Sequence, residues 1–164
     1  MDTVKERILI SGCEGEKNGY NTQLLYFTCS SLSMDDRYLF LITDKNGDAN
    51  VMVRDLVTGS ERILTDNHAG IMKSYVYFDC RPGEGLSKAS VCLDPVRKIV
   101  YYIQDNRICC ADLAGNIRVL AGVPDGRMTA FTHVSPDGKL LCVPMTVFFN
   151  SRSGRYVKVY AAEI

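Results

Sequence analysis

The chain has 164 residues, enough for one domain with a hydrophobic core. Its apolar share of 46% and charged share of 23% are those of an ordinary globular protein, and nineteen Lys and Arg balance nineteen Asp and Glu. This balance removes the basic footprint of a nucleic-acid binder and any attraction to an anionic membrane surface. No apolar run is long enough to span a bilayer, and the mixed-charge start over residues 1–7 does not read as a secretory signal.

The first strand-like run is Glu6-Arg7-Ile8-Leu9-Ile10, which stands alone. Residues 24–28 then predict a strand, followed by strands over 39–43, 50–56 and from 62. Asn46-Gly47 is a strong hairpin signal between the second and third of these, and Thr58-Gly59-Ser60 turns the chain again. The result is one four-stranded antiparallel unit over residues 24–65. Residues 66–87 are extra material. They contain Tyr75-Val76-Tyr77-Phe78-Asp79 and the loop Arg81-Pro82-Gly83-Glu84-Gly85. Insertions of this kind map to loops on one face of a repeat protein, often the binding face.

A second unit spans residues 88–121, with strands over 99–103, 107–112 and 117–120 and turns at Gln104-Asp105-Asn106 and Ala114-Gly115-Asn116. A third spans 129–164, with strands over 129–134, 140–146 and 156–162 and a long hairpin around Asn150-Ser151-Arg152-Ser153-Gly154. It lacks an outer strand. The three units share a phrase, a polar turn feeding an apolar run: Ser33-Met34-Asp35-Asp36-Arg37, Asp94-Pro95-Val96-Arg97-Lys98 and Ser135-Pro136-Asp137-Gly138-Lys139. Pro95 and Pro136 fall at the same place in it, as do Lys98 and Lys139. Four-stranded antiparallel units in series are the blades of a β-propeller. The expected fold is therefore all-β, a partial β-propeller of about three four-stranded antiparallel blades in a single incomplete domain over 1–164.

The ends of the array carry their own expectation. Glu6-Arg7-Ile8-Leu9 matches Glu61-Arg62-Ile63-Leu64, the outer strand of the first unit, so residues 6–10 read as a spare outer strand. Propellers close with about four to eight blades, and an open edge exposes unpaired backbone groups. A homodimer completing one ring, each copy lending its spare strand, is one expected arrangement. A fragment of a truncated gene, its extra edges tolerated, is the other.

Seven cysteines occur with no CxxC spacing, several inside apolar runs such as Val91-Cys92-Leu93 and Leu141-Cys142-Val143. They read as buried reduced thiols and fit a reducing, cytoplasmic compartment. Paired zinc ligands at short spacing are absent. Asp44, Asn46, Asp48 and Asn50 resemble a calcium loop, but the required Glu is replaced by Asp55, and hairpin chemistry explains these residues better.

Three residues are candidates for substrate binding. His133 precedes a repeat turn on a strand expected to line the central channel, where it is either substrate-facing or a hydrogen-bonded core residue. Arg81 in the inserted loop and Arg152 in the long hairpin are each either a carboxylate clamp or a solvated loop arginine, and Arg155 carries the same two readings. His68 sits in a loop. No phosphate-binding loop, nucleophile elbow or metalloprotease motif occurs.

The segment Tyr26-Phe27-Thr28-Cys29-Ser30-Ser31 through Asp55-Leu56-Val57-Thr58-Gly59-Ser60 and Leu64-Thr65 resembles the opening of oligogalacturonate lyases, seven-bladed propellers related to the TolB repeats. Ser135-Pro136-Asp137-Gly138-Lys139 resembles the generic TolB-type turn. The resemblance covers nearly the whole chain but only the first part of a family member. It implies β-elimination of pectin-derived oligogalacturonides, with a manganese ion held by histidines and a glutamine and a histidine as the base. Those residues lie downstream of the matched part. This chain has only His68 and His133, neither in a ligand motif, so no catalytic or metal-binding residue carries over. The expected function is an N-terminal part of such a lyase, inactive alone. The alternative is a non-catalytic TolB- or WD-type propeller that binds or scaffolds.

Overall fold

The computed structural model describes residues 20–26, 28–68, 78–79, 86, 90–122, 128–129, 132–149 and 154–164. The spare strand expected over 6–10 lies outside these residues. Among them there is no α-helix; apart from a 3-10 turn at Ser90, the regular elements are β-strands.

Sheet 1 is β1 (Thr22–Leu24), β2 (Tyr38–Thr43), β3 (Asn50–Asp55) and β4 (Glu61–Ile63), hydrogen-bonded in chain order and antiparallel. The inner strand lies earlier than the expected 24–28. The apolar run there invites a strand, but the Ser31 hydroxyl takes the Leu25 amide at 2.9 Å and the Cys29 amide closes a turn on the Tyr26 carbonyl at 3.0 Å. Local side-chain bonding of this kind competes with a sheet ladder.

After β5 (Phe78–Asp79) comes sheet 2, which repeats the pattern with β6 (Cys92–Asp94), β7 (Ile99–Gln104), β8 (Arg107–Ala111) and β9 (Ile117–Gly122). Asp105 and Asn106 join β7 to β8 at φ 51° and 57°. Two consecutive left-handed residues are what a two-residue hairpin with the native twist demands.

Sheet 3 is built on the ten-residue hairpin β12 (Leu140–Phe149) and β13 (Gly154–Glu163). Two short strands, β10 (Met128–Thr129) and β11 (His133–Val134), pair with the same edge of β12, out of register with each other by one residue. Pro144 supplies the reason. The Ser135 amide bonds to the Leu140 carbonyl, and alternation along β12 then aims position 144 at the inner strand. Proline has no N–H to donate there, so β12 offers no ladder donor at that position. β5, from the expected insertion, pairs with the remaining edge of β10, and Leu86 bridges to Gln104. The insertion, which joins sheet 1 to sheet 2 along the chain, therefore also contributes backbone to sheets 2 and 3.

The sheets stack face to face. Phe40, Ile42, Val51 and Val53 of sheet 1 meet Leu93, Val100, Tyr102 and Ala111 of sheet 2, all 5% exposed or less. The alternate residues of sheet 2, Cys92, Tyr101, Ile103 and Cys110, meet Leu141 and Val143 of sheet 3. This two-sided burial explains why β7 reads as the unbroken apolar run Ile99-Val100-Tyr101-Tyr102-Ile103 and does not alternate. β11 also packs against β6, which brings the inner strands of sheets 2 and 3 together.

The shared turn phrase is built the same way in sheets 1 and 3. Ser33 donates to Asp35 at 2.6 Å and accepts the Tyr38 amide; Ser135 donates to Asp137 at 2.7 Å and accepts the Leu140 amide at 2.9 Å. In sheet 2 a carboxylate takes over, with Asp94 Oδ1 accepting from the amides of Val96 and Arg97. The left-handed residue is Asp36 in the first turn and Gly138 in the third, but moves one place to Lys98 in the second.

Candidate functional site

The blades are joined at their turns by charge. Lys98 Nζ lies 2.7 Å from Asp35 Oδ2, and the Met34 amide donates to the Pro95 carbonyl at 2.8 Å, tying the turn of sheet 1 to that of sheet 2. The Arg97 guanidinium lies against Gly138, where a Cβ would collide with it, so the second turn also covers the third. Lys98 holds the Asp35 carboxyl down to about 2, with the Ser33 hydroxyl assisting.

A cavity of about 250 Å³ opens at the seam between sheets 1 and 2, lined by Tyr38, Val53, Asp55, Ser60, Glu61, Arg62 and Leu113. Strand pairing explains its wall. Tyr38 opposes Asp55, Phe40 opposes Val53, and Val53 opposes Arg62, so these side chains share the face turned toward sheet 2. Glu61 alternates to the other face and is neutralised there by Lys45 at 2.9 Å and Arg54 at 2.6 Å. Asp55 is fully engaged. Its Oδ1 accepts from the amides of Val57 and Thr58, and its Oδ2 from Arg37 Nε at 3.2 Å and Nη2 at 2.9 Å. Arg37 holds the Asp55 carboxyl down to about 2.

Arg62 crosses the seam. Its Nη1 donates to the carbonyls of Leu113 at 3.3 Å and Ala114 at 3.1 Å in the turn of sheet 2. Among the described residues nothing accepts from its Nε and Nη2 edge. The Tyr38 ring beside it has the Arg37 guanidinium 5.0 Å and the Lys98 ammonium 5.4 Å from its centre.

Two depressed carboxylates, Asp35 and Asp55, give a pH prediction. A group whose folded value lies below its ordinary 3.8 adds stability above that value and loses it as pH falls through the folded value of about 2. Stability should therefore be steady near neutrality and fall from about pH 4 toward pH 2. In Asp55→Asn the fall is expected to be shallower, as read from urea midpoints at each pH.

The sequence candidates do not converge. His133 is exposed on β11 opposite Cys142. Its register equals that of Cys92, and Cys142 equals Tyr101. Both of those are buried against the next sheet, whereas His133, Leu140, Cys142 and Pro144 form a face of sheet 3 with no described sheet upon it. His133 therefore lies on a blade face. His68 is exposed in the loop after β4. Arg81 and Arg152 lie outside the described residues, and so does the side chain of Arg155. Among the described residues, no group of three His, Cys, Asp or Glu side chains is placed to hold a metal ion. The Asp44 turn is a hairpin, with Gly47 at φ 97° and Asp44 bonded to the Asn21 side chain at 3.0 Å. Cys92, Cys109 and Cys110 are buried free thiols; burial pushes Cys109 up to about 11 and raises Cys92 as well. Sequence reasoning missed Arg62. Its one signal was the Glu-Arg-Ile-Leu match, which marked a strand edge and said nothing of a seam.

No protein-family model and no curated protein matches this chain. Solved structures do. A manganese-bound oligogalacturonate lyase matches 78% of this chain at 20% identity with a TM-score of 0.60. An oligogalacturonate lyase from Vibrio parahaemolyticus matches 90% at 13% identity with a TM-score of 0.68. At these identities the likeness establishes the fold. The chain spans 31% of the first structure's length and 39% of the second's.

Proposed function

We propose that this chain is part of an oligogalacturonate lyase-like propeller, handling pectin-derived oligogalacturonides when further blades complete the ring and catalytically silent alone. The observation that carries this reading is the face of sheet 3 on which no described sheet lies. His133, Leu140, Cys142 and Pro144 stand at the positions where sheet 2 places Cys92, Ile99, Tyr101 and Ile103, three of them 2% exposed or less. That face has the register of a blade awaiting its neighbour, which supports a ring larger than the three sheets described.

The manganese that the resemblance implies would neutralise the substrate carboxylate and ease loss of the adjacent proton. This chain offers two histidines, His68 in the loop after β4 and His133 on β11, and the ligand set must come from the completing blades. Their separation also supports the second reading, a binding or scaffold propeller with no chemistry. Two copies closing a ring would set sheet 3 of one against sheet 1 of the other. Leu39, Leu41 and Met52 form the apolar cluster on that face of sheet 1, which any closing blade would meet.

The assay is direct. Mixed with digalacturonate and manganese, the chain alone should give no rise in the absorbance of unsaturated uronates. A sustained rise would place a complete elimination site within these residues and overturn the reading.

A further inference from the structure

We infer that the seam cavity between sheets 1 and 2 is a binding site for a small carboxylate, of the size of one uronic-acid residue, with Arg62 as its anchor. Three observations carry this. First, the guanidinium is fixed and half used. Nη1 is held by the carbonyls of Leu113 and Ala114, so the plane is set from one side and the Nε and Nη2 edge is left for a ligand. That edge is the side-on fork that pairs with a carboxylate, as Arg37 does with Asp55 in the same seam. Second, the charge is unbalanced in the right direction. Asp55 already accepts from Arg37 and two amides, and Glu61 faces away toward Lys45 and Arg54. Lys98 is taken by Asp35. Arg62 is therefore the one charge lining the cavity with no counter-charge among the described residues.

Third, the size is limited. Drug-sized ligands take about 300–1,000 Å³; about 250 Å³ admits a single ring. Ser60 and Tyr38 line it together with Val53 and Leu113, so its wall mixes hydroxyl-bearing and apolar side chains, as a sugar ring requires. The choice of a uronate rests on the function proposed above. The carboxylate site rests on Arg62 and stands apart from it.

The test follows the Arg62 Nε–H resonance of the whole chain by NMR during titration with galacturonate, galactose and acetate. Galacturonate should move that resonance saturably. Galactose, which lacks the carboxylate, should bind at least about tenfold more weakly, and acetate should be weaker than galacturonate. Arg62→Lys keeps the positive charge without the fork. It should melt within a few degrees of the parent and bind galacturonate about tenfold more weakly. A still Arg62 resonance, or Arg62→Lys binding as tightly as the parent, would overturn the site, even if galacturonate moved other resonances and left the proposed function standing. Acetate matching galacturonate would overturn the uronate assignment alone.

Discussion

Replacing Tyr101 with alanine is expected to bring the chain to the edge of unfolding. Tyr101 is 2% exposed in β7, opposite Cys92 and Cys110, and belongs to the cluster that joins sheet 2 to Leu141 and Val143 of sheet 3. Truncating a buried aromatic costs about 3–5 kcal/mol in lost transfer energy and cavity. A domain of this kind holds about 5–15 kcal/mol in all. The void would lie between two sheets that cannot close upon it without moving their own hydrogen-bonded ladders. A urea titration followed by circular dichroism reads the effect. Val57→Ala, at a site 78% exposed, should leave the midpoint unchanged. A loss below about 1 kcal/mol for Tyr101→Ala would mean that sheets 2 and 3 do not pack as described.

Asn50→Ala is the second large expected effect, and it acts through polar groups. Asn50 is 5% exposed at the head of β3. Its Oδ1 accepts from the Thr65 hydroxyl at 2.7 Å and the Asn67 amide at 2.8 Å, and its Nδ2 donates to the carbonyls of Asn67 and Asp48. Thr65 in turn accepts the Val51 amide, and Asn67 Nδ2 donates to the Ala49 carbonyl. The network pins the segment leaving β4 onto the head of the sheet, where the chain departs into residues 66–87. Alanine leaves several of these groups buried without partners, at about 1–3 kcal/mol each. Thr65→Val removes one acceptor and one donor and should cost less. Hydrogen exchange checks the origin of the loss: the Asn67 amide should exchange much faster in Asn50→Ala. Unchanged protection of that amide would contradict the network's role.

What was legible in the sequence was whatever a strand must write locally. β2 and β7 announced themselves as unbroken apolar runs, and Asn46-Gly47 and Asp105-Asn106 marked their hairpins because those turns need left-handed residues. The turn phrase was legible because Ser33 and Ser135 make the same bonds to their own turns. The inner strands were harder. β1 was displaced because Ser31 captures the Leu25 amide, a choice the β-rich letters around it do not reveal. The change of register between β10 and β11 depends on which edge Pro144 faces, which is known only once β12 is paired. β5 joins sheet 3 across nearly fifty residues of chain, beyond the reach of periodicity. The seam cavity was illegible for the same reason. Arg62 is held by carbonyls of Leu113 and Ala114, about fifty positions away, and carbonyls leave no trace in a sequence.

Three stacked blades with no described sheet on the far face of sheet 3 are tested most directly by site-by-site alkylation of the native chain. Cys92, Cys109 and Cys110 are 4% exposed or less, locked between sheets, and Cys142 is half-buried on the outer face of sheet 3. A thiol between packed sheets reacts only when the structure opens, whereas one on an uncovered face reacts directly. With peptide mapping at mildly alkaline pH, Cys142 should be labelled faster than the other three by on the order of a hundredfold or more. Cys142 protected as strongly as Cys92 would mean that the face is already covered, and the proposal that this blade awaits a neighbour would be wrong.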